Sequence, residues 1–248
     1  MGRARARKAV LLSRERRFLA EQLDAPSVEL TGDEAHHLIH VLRLSPGDTV
    51  ALFDGRGTAK SARIAGIHKD TVELEPGDPL PAHESPITLT VAVAVPKGEK
   101  MSLIVQKLTE LGVTAIQPLI TDLGEVDEEW IQERLERWHR IALEAAKQST
   151  RSRLPRIETP KPFDDVDIIK RGTLLLRPGA PPLREKPPVD PLIIAIGPEG
   201  GWSNRELTLA QKRSVLELSL GPRTLRTETA AITATAVVQW LSGDLTTT

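Results

Sequence analysis

Apolar positions recur along this chain with two different periods, and the change falls about one third of the way in. Over residues 1–75 the apolar runs are short. Thr49 to Phe53 reads as a strand running into Asp54-Gly55-Arg56-Gly57, a turn signal, and Lys60 to Ile67 and Thr71 to Leu74 alternate apolar with polar residues. Gly32 to Leu44 carries Leu38, Val41 and Leu42 at helical spacing. The pattern predicts a small β-rich domain over residues 1–75, followed at 76–86 (PGDPLPAHESP) by a proline-rich linker without any apolar period.

Over residues 87–248 strands alternate with longer helices. Ile87 to Val95, Thr114 to Ile120, Thr173 to Leu176, Leu192 to Ile196 and Val215 to Leu220 read as strands. Lys100 to Leu111 reads as a helix that stops at Gly112, with Leu103, Leu108 and Leu111 as its core stripe. Asp127 to Gln148 reads as one long helix with Trp130, Ile131, Leu135 and Trp138 on one side, and a last helix spans about Thr229 to Leu241. This alternation predicts an α/β domain built on a mainly parallel sheet.

Charge changes the picture in its distribution, not its sum. The formal net charge is −1, yet residues 1–17 hold seven basic residues against one acidic, so a +6 arm precedes a body of −7. Such an arm points to a polyanion touched at one edge, or to a solubilising tail. The chain has no cysteine, which removes disulfides, thiolate catalysis and cysteine zinc sites and points to a reducing cytosol. No apolar run approaches the roughly 20 residues needed to span a bilayer. Three histidines, His36, His37 and His40, lack an unambiguous third partner, so a metal is not expected.

The densest chemistry lies in Leu192 to Glu206 (LIIAIGPEGGWSNRE). A buried strand enters Gly197-Pro198-Glu199-Gly200-Gly201, and Ser203 with Glu206 then fits a capping box that opens a helix. Glycines between a strand end and a helix start let backbone N–H groups approach a ligand. The spacing matches neither a phosphate-binding P-loop nor the dinucleotide glycine fingerprint. A second strand-to-helix junction at Leu218 to Ala231 breaks at Gly221-Pro222, and Thr227 or Thr229 can cap its helix. If strands 192–196 and 215–220 are neighbours, the two loops converge on one pocket carrying Glu199, Arg223, Arg226 and Glu228.

PKGEKM at 96–101, QKLTELGV at 106–113, AAKQSTR at 145–151, IGPEGGWSNRE at 196–206 and LGPRTLRTETAA at 220–231 resemble the signature segments of the RsmE-like ribosomal RNA methyltransferases. RFLA at 17–20, HHLIHVLRL at 36–44 and LFDGRG at 52–57 resemble that family's small domain. The resemblance implies a PUA-like β-barrel before a SPOUT-type α/β domain whose C-terminal segment forms a trefoil knot. It implies a homodimer, S-adenosylmethionine as methyl donor, and transfer to N3 of one uridine in small-subunit (16S) ribosomal RNA. By motif match the cofactor lies against Leu176, Gly197, Pro198, Glu199, Gly200, Gly201, Leu220, Gly221, Leu225 and Arg226. RNA contacts fall on Arg14, Arg16, Arg17, Arg43, Lys97, Arg151 and Arg153. The chain departs from the family where Thr150 replaces a glycine, and where Asp122-Leu123-Gly124-Glu125 replaces a serine- or arginine-rich stretch.

Uridine N3 must lose its proton to accept a methyl group, so the site needs a proton acceptor or a cation that stabilises the uridine anion. Arg226 is the first candidate for the cation. Glu199 and Glu228 are both candidates for the base, or for holding that arginine, and sequence does not rank them. A knotted 2′-O-ribose methyltransferase and a noncatalytic RNA-binding assembly factor are the competing readings.

Overall fold

A computed structural model of the chain describes residues 16–165, 167–185, 191–242 and 244–246; most of the basic arm, Arg14 included, lies outside them. These residues divide into two compact units, one formed by 16–84 with 143–154 and the other by 85–142 with 155–246. The division is therefore discontinuous, where a simple succession of domains was expected.

In the first unit β1 (Arg17–Leu19), β2 (Val28–Leu30), β3 (Thr49–Phe53), β4 (Ala59–His68) and β5 (Thr71–Pro79) form one sheet in the order β1-β3-β4-β5-β2. Only the β1–β3 pair is parallel. Phe18, Leu38, Leu52, Ile64 and Leu74 are fully buried between the sheet and a short helix, α1 (Gly32–His36). Each contributes about 1.5–3 kcal/mol by leaving water. The helical pattern expected to reach Leu44 ends sooner. After α1 the chain widens into a π turn over His37–Val41, closed by the Leu42 N–H on the His37 carbonyl, and Arg43 then takes a left-handed φ of 52°. Strand β5 runs on to Pro79, through the start of the expected linker. Beyond Leu74 it has β4 on one side and, among the described residues, no other strand, so the missing N–H groups of Pro76 and Pro79 are tolerated.

The second unit contains β6 (Leu89–Ala94), α2 (Lys100–Glu110), β7 (Ala115–Ile120), α3 (Glu128–Gln132), the start of α4 (Leu135–Gln148), β8 (Arg156–Ile157), β9 (Lys161–Pro162), β10 (Leu174–Leu176), β11 (Leu192–Ile196), α5 (Asn204–Lys212), β12 (Leu216–Leu218) and α6 (Thr227–Ser242). The strands form a seven-stranded sheet ordered β12-β10-β11-β6-β7-β8, with β9 also on β7, and every pairing is parallel. Alternate residues of β6 and β11 are buried on opposite faces. Val91, Val93 and Ile194 meet Met101, Ile104, Leu108, Trp138 and Val238, while Ala92, Ile193 and Ala195 share the other cluster with Phe163 and Trp202. Burial on both faces is why these strands read as unbroken apolar runs.

Three expectations change here. Leu103 faces solvent at 42% exposure, because α2 buries Met101, Ile104, Val105 and Leu108 instead. The long helix breaks at Glu133-Arg134. There the Arg134 N–H bonds the Ile131 carbonyl while its guanidinium, stacked 3.6 Å from the Trp130 ring, takes the Trp130 carbonyl at 2.9 Å that the helix would have used. Trp138 is a core residue, 2% exposed. Finally, β12 is not the neighbour of β11, since β10 lies between them.

Helix α4 ends with the Arg151 N–H on the Ala146 carbonyl and the Thr150 N–H on the Lys147 carbonyl, a Schellman closure that puts Thr150 at φ 63°. That is a glycine position, and a β-branched side chain there is strained by about 1 kcal/mol. Thr150→Gly is therefore expected to raise the melting temperature by roughly 2–4 °C in a thermal melt.

Candidate functional site

Because the sheet is parallel, the C-terminal ends of β6, β7, β10, β11 and β12 all reach the same edge, and the loops that follow them meet there. A cleft of about 270 Å³ opens at this edge. Leu176, Gly197, Pro198, Glu199, Gly200, Gly201, Leu220, Gly221 and Leu225 line it, so nine of the ten residues expected around a cofactor stand in its walls. The tenth, Arg226, does not line it; its side chain is exposed beside the rim. Convergence came about although β11 and β12 are not adjacent, because a parallel sheet aligns strand ends whatever their order.

Four glycines, Gly197, Gly200, Gly201 and Gly221, stand in the walls and present only backbone there. Gly221 adopts φ 102°, with nothing within 4 Å of where a Cβ would stand. Gly197 is confined instead: an added Cβ would lie 3.0 Å from the Trp202 ring. Trp202, 9% exposed, donates its indole N–H to the Leu176 carbonyl at 2.9 Å and packs on Phe163. The Thr227 hydroxyl, expected as a helix cap, donates instead to the Gly197 carbonyl at 3.1 Å and ties one loop to the other. Trp202 was not singled out from the sequence, although it lies inside the quoted glycine motif. Ser203 and Glu206 form the expected capping box that starts α5.

The charged rim differs more from expectation. Lys100, at the start of α2, meets the Glu199 carboxylate at 2.5 Å. The Lys100 ammonium beside it holds the Glu199 carboxyl below the ordinary carboxylate range, and the same contact pushes Lys100 above its usual value. Arg226 and Glu228 act on Lys100 more weakly. Glu228 sits in the first turn of α6, and its Oε2 is buried with no hydrogen-bond partner among the described residues. Lys100 was the missing member of this group; its only signal was the PKGEKM segment.

Of the residues expected to face RNA, Arg43 and Arg153 are exposed, and the Arg153 guanidinium lies over Gly57. Arg17 and Arg151 are not available. Arg17 is 4% exposed and donates to the Arg151 carbonyl at 3.1 Å, while Arg151, 3% exposed, is gripped by Glu84 at 2.8 Å. Their role is internal, because a buried guanidinium needs a carboxylate or carbonyl partner to offset desolvation. Arg16 lies 3.9 Å from Asp48, and Lys97 lies 3.4 Å from Glu125. His36 and His40 stack at 4.8 Å, and among the described residues there is no group of three side chains able to hold a metal. Among the same residues no helix is long and apolar enough to cross a membrane.

A two-faced parallel sheet with a glycine-walled cleft at its C-terminal edge, joined to a small curled β unit, is the architecture of an RNA methyltransferase. Residues 83–239 match the RNA methyltransferase domain family, and residues 30–77 the RNA methyltransferase PUA domain. The chain is 36% identical over 231 residues to ribosomal RNA small subunit methyltransferase E of Synechocystis sp., covering 89% of this chain and 75% of the relative. It is 30% identical over 235 residues to the Bacillus subtilis protein of that name, covering 88% and 91%. The solved structure of ribosomal RNA small subunit methyltransferase E from Neisseria gonorrhoeae, bound to S-adenosyl methionine, superposes with a TM-score of 0.82 at 32% identity, covering 91% of this chain and 97% of that one. The chain belongs to this ribosomal RNA small subunit methyltransferase E family.

Proposed function

We propose that the protein transfers a methyl group from S-adenosylmethionine to N3 of a uridine in small-subunit ribosomal RNA, acting as a cytoplasmic homodimer. The observation that carries this reading is the cleft itself: Gly197 to Gly201 wall it on one side and Leu220, Gly221 and Leu225 on another, in a fold whose relative binds that cofactor. The residues fit the group, since an open, glycine-lined cradle beside apolar Leu176, Leu220 and Leu225 suits an adenosyl unit. When bound, S-adenosylmethionine supplies a methyl on a positively charged sulfur, which leaves as a neutral thioether. The trefoil threading of the C-terminal segment belongs to the same proposal.

The chain's own residues hold the reactants in line and manage one proton. Glu199 is a poor proton acceptor, because Lys100 already neutralises it and lowers its proton affinity. Glu228 has a buried oxygen without a partner, so we assign it as the acceptor of the N3 proton. Arg226, exposed two residues before it, then stabilises the uridine anion whose N3 electron pair takes the methyl. The target base must leave its stack to present N3, which suits a loop or single-stranded site. Outside the cleft, Arg43 and Arg153, both exposed in the first unit, are the cations that meet phosphate.

Nucleoside digestion and mass spectrometry of ribosomal RNA from a strain lacking the gene tests the function. Loss of N3-methyluridine, restored by the wild-type gene, is expected. Loss of a 2′-O-methyl nucleoside would make it a ribose methyltransferase, and an unchanged profile a noncatalytic factor.

A further inference from the structure

The catalytic reading leaves the segment Asp122-Leu123-Gly124-Glu125 without a role. It follows β7 and reaches the same sheet edge as the glycine loop. Asp122 makes an unusual number of contacts there. Its carboxylate accepts from Ser203 Oγ at 2.5 Å, from Arg205 Nε at 2.9 Å and from Arg205 Nη2 at 2.6 Å. Its N–H donates to Glu206 Oε1 at 3.0 Å, while the other oxygen of that fully buried glutamate accepts from the Ser203 N–H at 2.8 Å. Leu123 lies against Gly200, whose added Cβ would be 3.4 Å from the Leu123 Cβ. The segment is itself closed by the Gly124 N–H on the Thr121 carbonyl at 3.0 Å.

These contacts converge on residues 200–206, where the glycine loop turns into α5. Together they need a two-oxygen acceptor facing one hydroxyl and one guanidinium fork, which the Asp122 carboxylate supplies. We propose that Asp122 is a positioning residue: it latches Ser203 and Arg205 and so holds the 197–203 loop in the shape that binds the cofactor. The inference rests on the methyltransferase reading above. An exposed ion pair alone contributes little. The latch differs because it combines a bidentate pair, a hydroxyl and a backbone contact at one turn.

Calorimetry with S-adenosylmethionine on the full chain tests it, using Asp122→Ala, the near-isosteric Asp122→Asn, Arg205→Ala and the Asp122→Ala/Arg205→Ala double variant. We expect Asp122→Ala to weaken binding about 10-fold and Asp122→Asn less. The rate at saturating cofactor should stay within about 2-fold, so the loss falls on KM and not kcat. The double variant should be no weaker than the worse single one, because each residue acts through the other. Unchanged affinity in Asp122→Ala and Asp122→Asn, or additive losses in the double variant, would overturn the latch. So would a loss that falls equally on kcat. If the wild type binds the cofactor and Gly221→Val does not, while the Asp122 variants bind normally, only the latch fails. A wild type that does not bind overturns both the latch and the cofactor reading.

Discussion

Arg226→Ala is expected to lower the single-turnover methylation rate by about 10²-fold or more, the scale seen when one charge-stabilising donor is removed. Cofactor affinity should fall far less, since Arg226 does not line the cleft. Raising the pH should partly restore the variant, because more uridine then ionises unaided. Arg226→Lys should rescue only in part, as a point charge does not reproduce a planar fork of donors. Glu228→Gln is the companion test. It keeps the shape of the side chain but removes the proton acceptor, and a loss of about 10²–10⁴-fold in rate is expected. Glu199→Gln should cost less, since Lys100 already occupies that carboxylate. Stopped single-turnover assays with a ribosomal RNA fragment measure all four variants. Equal losses of binding and chemistry in Arg226→Ala would make it a cofactor residue. A fully active Glu228→Gln would return the search for the base to Glu199.

Gly221→Val is expected to abolish measurable S-adenosylmethionine binding while circular dichroism shows the secondary structure retained. The backbone there stands at φ 102°, outside the region any β-branched residue tolerates, so valine strains the loop by about 1–3 kcal/mol. The space around the site is open, so nothing else in the fold resists the change, and the loop itself must move. Calorimetry checks it, and retained micromolar affinity would remove the cleft as the cofactor site. Gly200→Val is a milder probe than the glycine motif suggests. Gly200 needs no left-handed backbone, and an added Cβ there meets only Leu123 at ordinary contact distance.

Much of this was legible because it depends on neighbours in the chain. The parallel sheet showed in the apolar runs 89–94 and 192–196, which are buried on both faces, and the capping box of Ser203 and Glu206 showed because its partners are three residues apart. The cleft residues were readable for a related reason: a glycine loop between a strand end and a helix start is local, and parallel topology then brings such loops to one edge. Strands β1, β2, β8 and β9 escaped, at two or three residues each, because so short a run holds no period.

What remained hidden depends on pairs far apart in sequence. Arg17 and Arg151 looked like surface cations in a basic context, and only the fold brings Glu84 and the backbone around them and takes them out of water. Glu199 and Glu228 were indistinguishable as formulae, and what sets them apart is the contact of Glu199 with Lys100, ninety-nine residues before it. Asp122 looked like an unexplained departure until Ser203 and Arg205, more than eighty residues later, appeared within hydrogen-bonding distance. Periodicity and glycine spacing report the backbone, which answers to near neighbours, whereas the protonation and availability of a charged group answer to whichever partner the tertiary structure delivers.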